Sequence, residues 1–198
     1  RMLDRKRPVF GALALIMVAA LAGWAAPVAA GSLRQGTGLE VVATGLNNPR
    51  GLAFTASGDG LLVAEAGVGG EGPCFEGPEG AACLGSSGSI ARVDLGGGGV
   101  ERLVTGLPSL SLADPPGFNA TGPHDVAVID DDELYIVIGL GGTTAVREAL
   151  GPGAALLGHV ARVRLGSGPQ PVADLVAFDA ANDVDGAGAD SNPYALAL

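Results

Sequence analysis

The feature that most constrains the fold is a short proline-containing motif that occurs three times, at residues 48–54, 122–128 and 192–198. A recurrence at a spacing of roughly 70 residues is typical of a chain built from one supersecondary unit repeated along its length. A second pair of similar segments, at residues 88–95 and 158–165, keeps the same spacing. We therefore interpret the chain as consecutive copies of one unit.

Each unit contains four short runs of Val, Leu and Ile, bounded by Gly, Pro, Asn and Asp, which predicts a four-stranded antiparallel sheet. The 34 glycines of the 198 residues argue against long helices. A series of such sheets predicts an all-β fold of the β-propeller type, with each sheet forming one blade. A β-sandwich also uses short strands, but it does not require the same four-strand order at a fixed period.

The predicted blades cover residues from about 50 to 106 and from about 124 to 176, and the last residues begin a third blade. A strand predicted at residues 40–46 precedes the first blade. Since propellers usually close with four to eight blades, the chain corresponds to an incomplete propeller of about two and a half blades.

Short and long connections between the predicted strands follow each other in turn along each unit. An antiparallel blade places its first and third turns on one rim and the other connections on the opposite rim. The first set is short, and the second set is long, at residues 67–87, 108–122, 139–157 and 178–192. Long loops on a rigid scaffold are where binding and catalysis concentrate, so we expect the long-connection rim to be the functional face. Within one of these connections, residues 143–150 predict a short helix capped by Thr143 or Thr144.

Three polar side chains, Arg50, His124 and Tyr194, directly follow the repeated proline. We expect them to surround the mouth of the propeller's central channel on the long-connection rim and to bind a polar ligand. His124 and Asp125, assisted by Arg50, are also candidates for catalysis or for holding a metal ion. The alternative is that these side chains bind the loops of the neighbouring blade and hold the blades together.

An oxygen-rich loop near the end of the chain contains Asp183, Asp185 and Asp190, which are candidate ligands for calcium or another divalent cation. The spacing of these residues does not match an EF-hand. The alternative interpretation is an acidic turn that is exposed to solvent.

The first 30 residues have the features of a secretory signal peptide. A basic cluster at residues 5–7 precedes an apolar run at residues 9–21, and small residues lead up to Ala30. We expect cleavage after Ala30, which leaves residues 31–198 as a partial propeller domain with no membrane association. A retained membrane anchor is the alternative, because the apolar stretch approaches the length that spans a bilayer.

Cys74 and Cys83 predict a local disulfide, because an exported chain reaches an oxidising compartment. A zinc site and a redox pair are the less favoured alternatives, since no histidines lie nearby and the spacing is too long for a redox motif. The expected location is therefore secreted or extracytoplasmic, in the periplasm or at the cell surface.

The net charge of −10 at pH 7 excludes the usual basic class of nucleic-acid-binding proteins. A surface of this sign favours cations or neutral ligands. The sequence also lacks the nucleophile-elbow and zinc-protease motifs, which lowers the expectation of a hydrolase.

Several segments together resemble the ScyD/ScyE family, namely residues 42–54, 64–74, 121–126, 137–142 and 190–194. The resemblance implies an exported six-bladed propeller of the NHL- or TolB-like type. Founding members are linked to biosynthesis of scytonemin, a cyanobacterial sunscreen pigment, and the resemblance brings no catalytic residues with it. Because members continue through further blades, the chain resembles an amino-terminal part of them.

The leading functional expectation is an exported propeller that binds a small molecule or a protein partner on its long-connection rim. The alternative is an enzyme of the lyase or lactonase type, with His124, Arg50 and a divalent metal at the channel mouth. A cell-surface scaffold is a third possibility.

Overall fold

The computed structural model describes residues 40–183, 186 and 188–197. The predicted signal peptide, residues 1–30, lies outside the described residues. The strands are β1 (Pro49–Phe54), β2 (Gly60–Glu65), β3 (Cys74–Gly77), β4 (Gly80–Asp94), β5 (Gly99–Leu112), β6 (Pro123–Val128), β7 (Glu133–Ile138), β8 (His159–Arg164) and β9 (Gln170–Asp174). The helices are α1 (Thr144–Leu150) and α2 (Leu175–Asn182), with a 3-10 turn at Pro152–Ala154. No described helix is both long enough and apolar enough to cross a bilayer.

The strands form two antiparallel sheets. In the first sheet β1, β2, β4 and β5 pair in that order, and β3 pairs with the first part of β4. In the second sheet β6, β7, β8 and β9 pair in sequence order. The registers of the middle strands correspond, because Leu61 faces Val93 in the first sheet and Leu134 faces Val163 in the second. The prediction of a mostly β chain with antiparallel sheets is confirmed. The second sheet has the predicted four strands, whereas the first has five, because β3 is added to β4.

The hydrophobic core contains residues from the facing sides of both sheets. Alternate residues of β7, Leu134, Ile136 and Ile138, are all buried in it, as are Leu62 of β2 and Ile90 of β4. Alternation places these side chains on one face of each strand. Burial of each large aliphatic side chain contributes roughly 1.5–3 kcal/mol, so this shared core holds the sheets together.

Two predicted strands are absent from the described residues. Residues 40–46 form no strand, and Val41 and Val42 are exposed. Residues 192–197, predicted as the inner strand of a third unit, form no strand either. An apolar run becomes a strand only where a neighbouring strand satisfies its backbone groups, and neither segment makes such a backbone–backbone hydrogen bond among the described residues.

The predicted loops at residues 67–87 and 108–122 are partly strand. β4 begins at Gly80 and β5 continues to Leu112, so these two strands extend beyond the predicted blade and carry the β3–β4 hairpin. Cys74 and Cys83 lie opposite each other in this hairpin and form the predicted disulfide. The pairing prediction is confirmed, whereas the prediction of an irregular loop around it is wrong.

Of the two described helices, one was predicted from the sequence and the other was not. The predicted helix is α1, and the Thr143 side chain caps it by accepting a hydrogen bond from the Val146 N–H at 3.3 Å. The second helix, α2, replaces the predicted end of a strand and the start of a loop. Asp174 caps α2 by accepting from the Ala177 N–H at 3.0 Å, which ends β9 and turns the chain into a helix.

A buried carboxylate joins the segment before β1 to the first sheet. Glu65 is fully buried at the end of β2 and accepts hydrogen bonds from the Asn47 N–H, from Ser89 Oγ on β4 and from Arg102 on β5, at 2.5 to 2.9 Å. Burial alone would raise the pKa of Glu65, but the hydrogen bonds from Arg102, Ser89 and Asn47 outweigh it and lower this pKa.

We expect Glu65→Gln to lower the free energy of unfolding by about 2–3 kcal/mol, because it leaves Arg102 without its counter-charge. The expected loss is moderate because the Arg102 side chain is 37% exposed. Urea unfolding at pH 7 measures it, with the exposed Glu101→Gln as the matched control. The stabilisation should be complete above the ordinary pKa of 4.5 and should be lost as the pH falls through the lowered folded-state pKa. Equal stability of the two variants would contradict the assigned role.

Candidate functional site

The residues that follow the repeated proline meet at one end of the two sheets. Arg50 begins β1, His124 begins β6, and Tyr194 lies in the last described segment. The His124 and Tyr194 rings are 4.9 Å apart between centroids, with their planes tilted by 48°. Gly51, the residue after Arg50, lies against the backbone of His124, because a Cβ atom there would be 2.8 Å from the His124 carbonyl oxygen. The structure therefore brings the rings of His124 and Tyr194 into contact, and it places the start of β1, which carries Arg50, beside the start of β6.

A β-bulge positions the first two of these side chains. The register of β1 with β2 shifts between Pro49 and Leu52, and that of β6 with β7 shifts between Pro123 and Asp125. Proline has no N–H to give to a ladder, so a bulge is a favourable place for it. A bulge also bends the strand and redirects its side chains, which gives Arg50 and His124 equivalent positions in the two sheets.

A glycine allows the first strands of the two sheets to approach each other. A Cβ atom added to Gly51 would lie 2.0 Å from Asp125 Oδ1 and 2.8 Å from the His124 carbonyl oxygen. No side chain fits there without displacing the Asp125 side chain and the β6 backbone. The glycine in the first copy of the motif is therefore what lets the Asp125 side chain pack against β1.

Asp125, a candidate catalytic residue, has both carboxylate oxygens bound to backbone. Oδ1 accepts from the Val126 N–H and Oδ2 accepts from the Leu196 N–H, both at 2.9 Å. Leu196 belongs to the third copy of the motif. Asp125 thus fixes the third motif against the second, which is a structural role.

His124 is only 2% exposed, and its Nδ1–H donates to the Pro193 carbonyl oxygen at 3.0 Å. Burial lowers the pKa of His124, the hydrogen bond to Pro193 raises it, and the charge of Arg50 lowers it further. The net effect is a lowered pKa. The imidazole is therefore neutral at pH 7, with Nε2 as its acceptor atom.

Arg50, like His124, donates a hydrogen bond to a backbone carbonyl oxygen of the neighbouring unit. Its Nη2 donates to the Ala120 carbonyl oxygen at 2.6 Å, just before the second copy of the motif. Its Nε is buried and has no hydrogen-bond partner within the described part of the chain. The hydrogen bonds of Arg50 and His124 thus match the interpretation in which these side chains hold adjacent units together. The buried Nε–H of Arg50 is thus a donor without a described acceptor, and Tyr194 is 57% exposed.

The candidate cation ligands do not form a site within the described residues. Asp183 ends α2 in the left-handed conformation, and its Oδ1 accepts from the Gly188 N–H at 3.0 Å. Asp185 lies outside the described residues, whereas Asp190 is described. No group of three or more His, Cys, Asp or Glu residues is placed to hold a metal ion in residues 40–183, 186 and 188–197.

A second charged cluster on the long-connection rim was missed by the sequence interpretation. Arg147 of α1 donates through Nη1 and Nη2 to both carboxylate oxygens of Asp174, at 2.9 and 2.5 Å. The same guanidinium bonds to the Leu157 carbonyl oxygen and lies 3.2 Å from His159 Nδ1. The hydrogen bonds from Arg147 lower the pKa of Asp174 despite its partial burial. These contacts hold α1 against the start of α2. The one sequence signal for this cluster is that Asp174 is a residue type favoured at helix N-caps.

The surface carries further concave features, and two of them bear on the choice of a functional rim. A groove of about 630 Å³ lies among the long connections and is lined mainly by glycine and serine, including Gly69, Gly85 and Ser87. A second cavity, of about 320 Å³, lies between the two sheets at the opposite rim, where the short turns are. The sequence interpretation placed all function on the long-connection rim and gave no indication of this second cavity.

Comparison of the chain with family models, with curated proteins and with solved structures finds no match. The resemblance to the ScyD/ScyE family and the propeller arrangement stay predictions.

The buried neutral His124 should make stability depend on pH. Its folded-state pKa lies below the ordinary 6.5, so the unfolded chain binds more protons as the pH falls below 6.5. Stability should be greatest above pH 6.5 and should decline as the pH falls toward the folded-state pKa. Urea unfolding over this range measures the decline, which should be smaller in His124→Gln because its amide can donate to Pro193 but does not titrate.

Direct titration of the His124 Cε1–H signal by NMR is the independent check. A midpoint at or above 6.5 for the folded protein would contradict the lowered pKa.

Proposed function

We propose that the chain is part of an exported β-propeller that binds a ligand on its long-connection rim, at Arg50, His124 and Tyr194. The matching strand order and register of the two sheets support a repeated blade. The disulfide supports an oxidising compartment outside the cytoplasm.

The way the sheets meet supports a radial arrangement. Close backbone approach between them is concentrated on β6, the first strand of the second sheet, which lies mainly near β1 and β2 of the first and to a lesser extent near β4 and β5. In a propeller, neighbouring sheets are closest at their first strands, near the central axis, and move apart toward their outer strands. In a sandwich, by contrast, two sheets face each other over their whole width.

The observation that carries the proposed binding function is the convergence of three side chains from three copies of one motif. Arg50 binds the residue Ala120 shortly before the second motif, and His124 binds Pro193 of the third motif, which holds these two side chains in a fixed geometry. The buried Nε of Arg50 has no described partner, and the Tyr194 ring, which contacts His124, is 57% exposed. A guanidinium N–H favours a carbonyl, carboxylate or phosphate oxygen, and an exposed phenol ring favours a flat apolar group.

The ligand is therefore a small molecule, or a segment of a protein partner, that presents an acceptor oxygen next to a flat apolar group. The enzymatic alternative of a lyase or lactonase gains no specific support from the contacts. His124 is enclosed by protein and Asp125 is occupied by two backbone N–H groups. A cell-surface scaffold would use the same rim for a protein partner.

Benzoate is a suitable probe because it combines a carboxylate with a flat ring. We expect it to shift the NMR signal of the Arg50 Nε–H group, which reports directly on the free donor. Arg50→Lys should weaken benzoate binding about tenfold, since a hydrogen bond to a charged group is lost. Tyr194→Ala should weaken it as well.

The matched control is Arg164→Lys, which changes an arginine that is 64% exposed on the short-turn rim. This variant should bind benzoate as the unmodified chain does. Binding that is unchanged in both Arg50→Lys and Tyr194→Ala, or an Arg50 Nε–H signal that benzoate does not move, would count against the proposed site.

A further inference from the structure

We propose that the 320 Å³ cavity at the short-turn rim binds a small, uncharged and largely apolar molecule that carries one carbonyl-type oxygen. The cavity lies between the turn that joins β1 to β2 and the turn that joins β6 to β7. The Arg50, His124 and Tyr194 group lies at the other end of these strands. The inference therefore does not depend on the function proposed above.

The inner surface of the cavity is apolar and comes from both sheets. The side chains that form it are Leu62, Leu103, Val128, Leu134 and Leu165. Leu62 and Leu134 are buried core residues, so the deepest part of the cavity borders the hydrophobic core. Ligand pockets of this kind are mostly apolar with a few fixed polar groups, and a volume near 300 Å³ is enough for a small ligand.

The polar edge on the side of the first sheet is held by one carboxylate. Thr55 Oγ1 and Ser57 Oγ donate to Asp59 Oδ1 at 2.9 and 2.7 Å, and Arg92 Nη2 donates to Asp59 Oδ2 at 3.0 Å. Thr55, Ser57 and Arg92 all line the cavity. Their positions are thus fixed before a ligand arrives, which reduces the entropy lost on binding.

Arg92 has a buried donor without a described acceptor. Its Nε is buried and has no hydrogen-bond partner in residues 40–183, 186 and 188–197, although Nη2 of the same guanidinium binds Asp59. A buried N–H without an acceptor is unfavourable. A ligand oxygen in the cavity would supply that acceptor.

The charge around the cavity selects among oxygen-bearing ligands. Asp130 and Asp131 line the side that belongs to the second sheet, and Asp59 forms an ion pair with Arg92. Two carboxylates of the lining and the Asp59 partner of Arg92 therefore outnumber the single guanidinium of the lining. This surplus of negative charge disfavours a carboxylate or phosphate and leaves a neutral carbonyl oxygen as the acceptor that fits.

The corresponding arginine of the second unit shows that this arrangement is specific to the first. Arg162 lies one repeat further on, and its Nε is 2.7 Å from Glu133 Oε1 in an ion pair, although the N–H is not directed well enough for a hydrogen bond. Its charge is neutralised by Glu133, and Arg162 does not line the cavity. Arg162 is therefore a matched control for Arg92.

Acetonaphthone and naphthoate are probes that share an aromatic body and differ in a neutral ketone against a carboxylate. Isothermal titration of the full chain should show binding of acetonaphthone and at least tenfold weaker binding of naphthoate. Arg92→Lys keeps the charge beside Asp59 but removes Nε, so it should weaken acetonaphthone binding about tenfold. Arg162→Lys should leave it unchanged.

Val128→Phe should abolish binding by filling the cavity, and circular dichroism shows whether it folds. Intermolecular NOEs from acetonaphthone to the Leu62 and Leu134 methyl groups locate the probe in the unmodified chain and need no variant. Equal affinity for both probes, binding insensitive to Arg92→Lys, or an absence of these NOEs would each overturn the proposal.

Discussion

The close approach of β1 and β6 is the contact on which the rest of the molecule depends. It requires a glycine at position 51, because the Asp125 side chain and the β6 backbone occupy the space of a Cβ atom there. Sheets that touch at their first strands bring Arg50 beside His124 at one end. At the other end, the sheets leave room for an apolar cavity between their short turns. Both candidate sites therefore follow from one packing contact between two copies of a repeated motif.

Buried charge stabilises the parts of the chain that do not repeat. In the first unit Glu65 binds Arg102, Ser89 and the backbone before β1, whereas Ile138 takes the corresponding end of β7 in the second unit and is apolar. The second unit has its own ion pair, between Arg147 and Asp174, which joins two helices that the first unit lacks. Each ion pair lies at a segment that differs between the two units. Such a segment has backbone groups and charges that are not paired within a β-sheet, and the ion pair supplies partners for some of them.

Much of the fold was predictable from local patterns, including the strand order of both sheets, helix α1 with its Thr143 cap, and the pairing of Cys74 with Cys83. The errors fell where an outcome depended on distant neighbours. Residues 40–46 have a strand-like sequence but make no backbone hydrogen bond to a neighbouring strand among the described residues. The glycine-rich insertion after β2 becomes a hairpin because β4 and β5 continue to pair. Helix α2 was missed because Asp174 acts as its cap while it is held by Arg147, a residue far away in the sequence.

By itself, the sequence determined the repeat, the antiparallel units and the position of Arg50, His124 and Tyr194 after the repeated proline, because alternation and turn residues act over a few neighbouring positions. Only the tertiary structure decided what those side chains do. It buried His124, gave each oxygen of Asp125 a backbone N–H, and left Nε of Arg50 and of Arg92 without a described partner. Burial, ion pairing and the shape of a cavity depend on which distant segments meet, and the packing of one sheet against the other sets those distances.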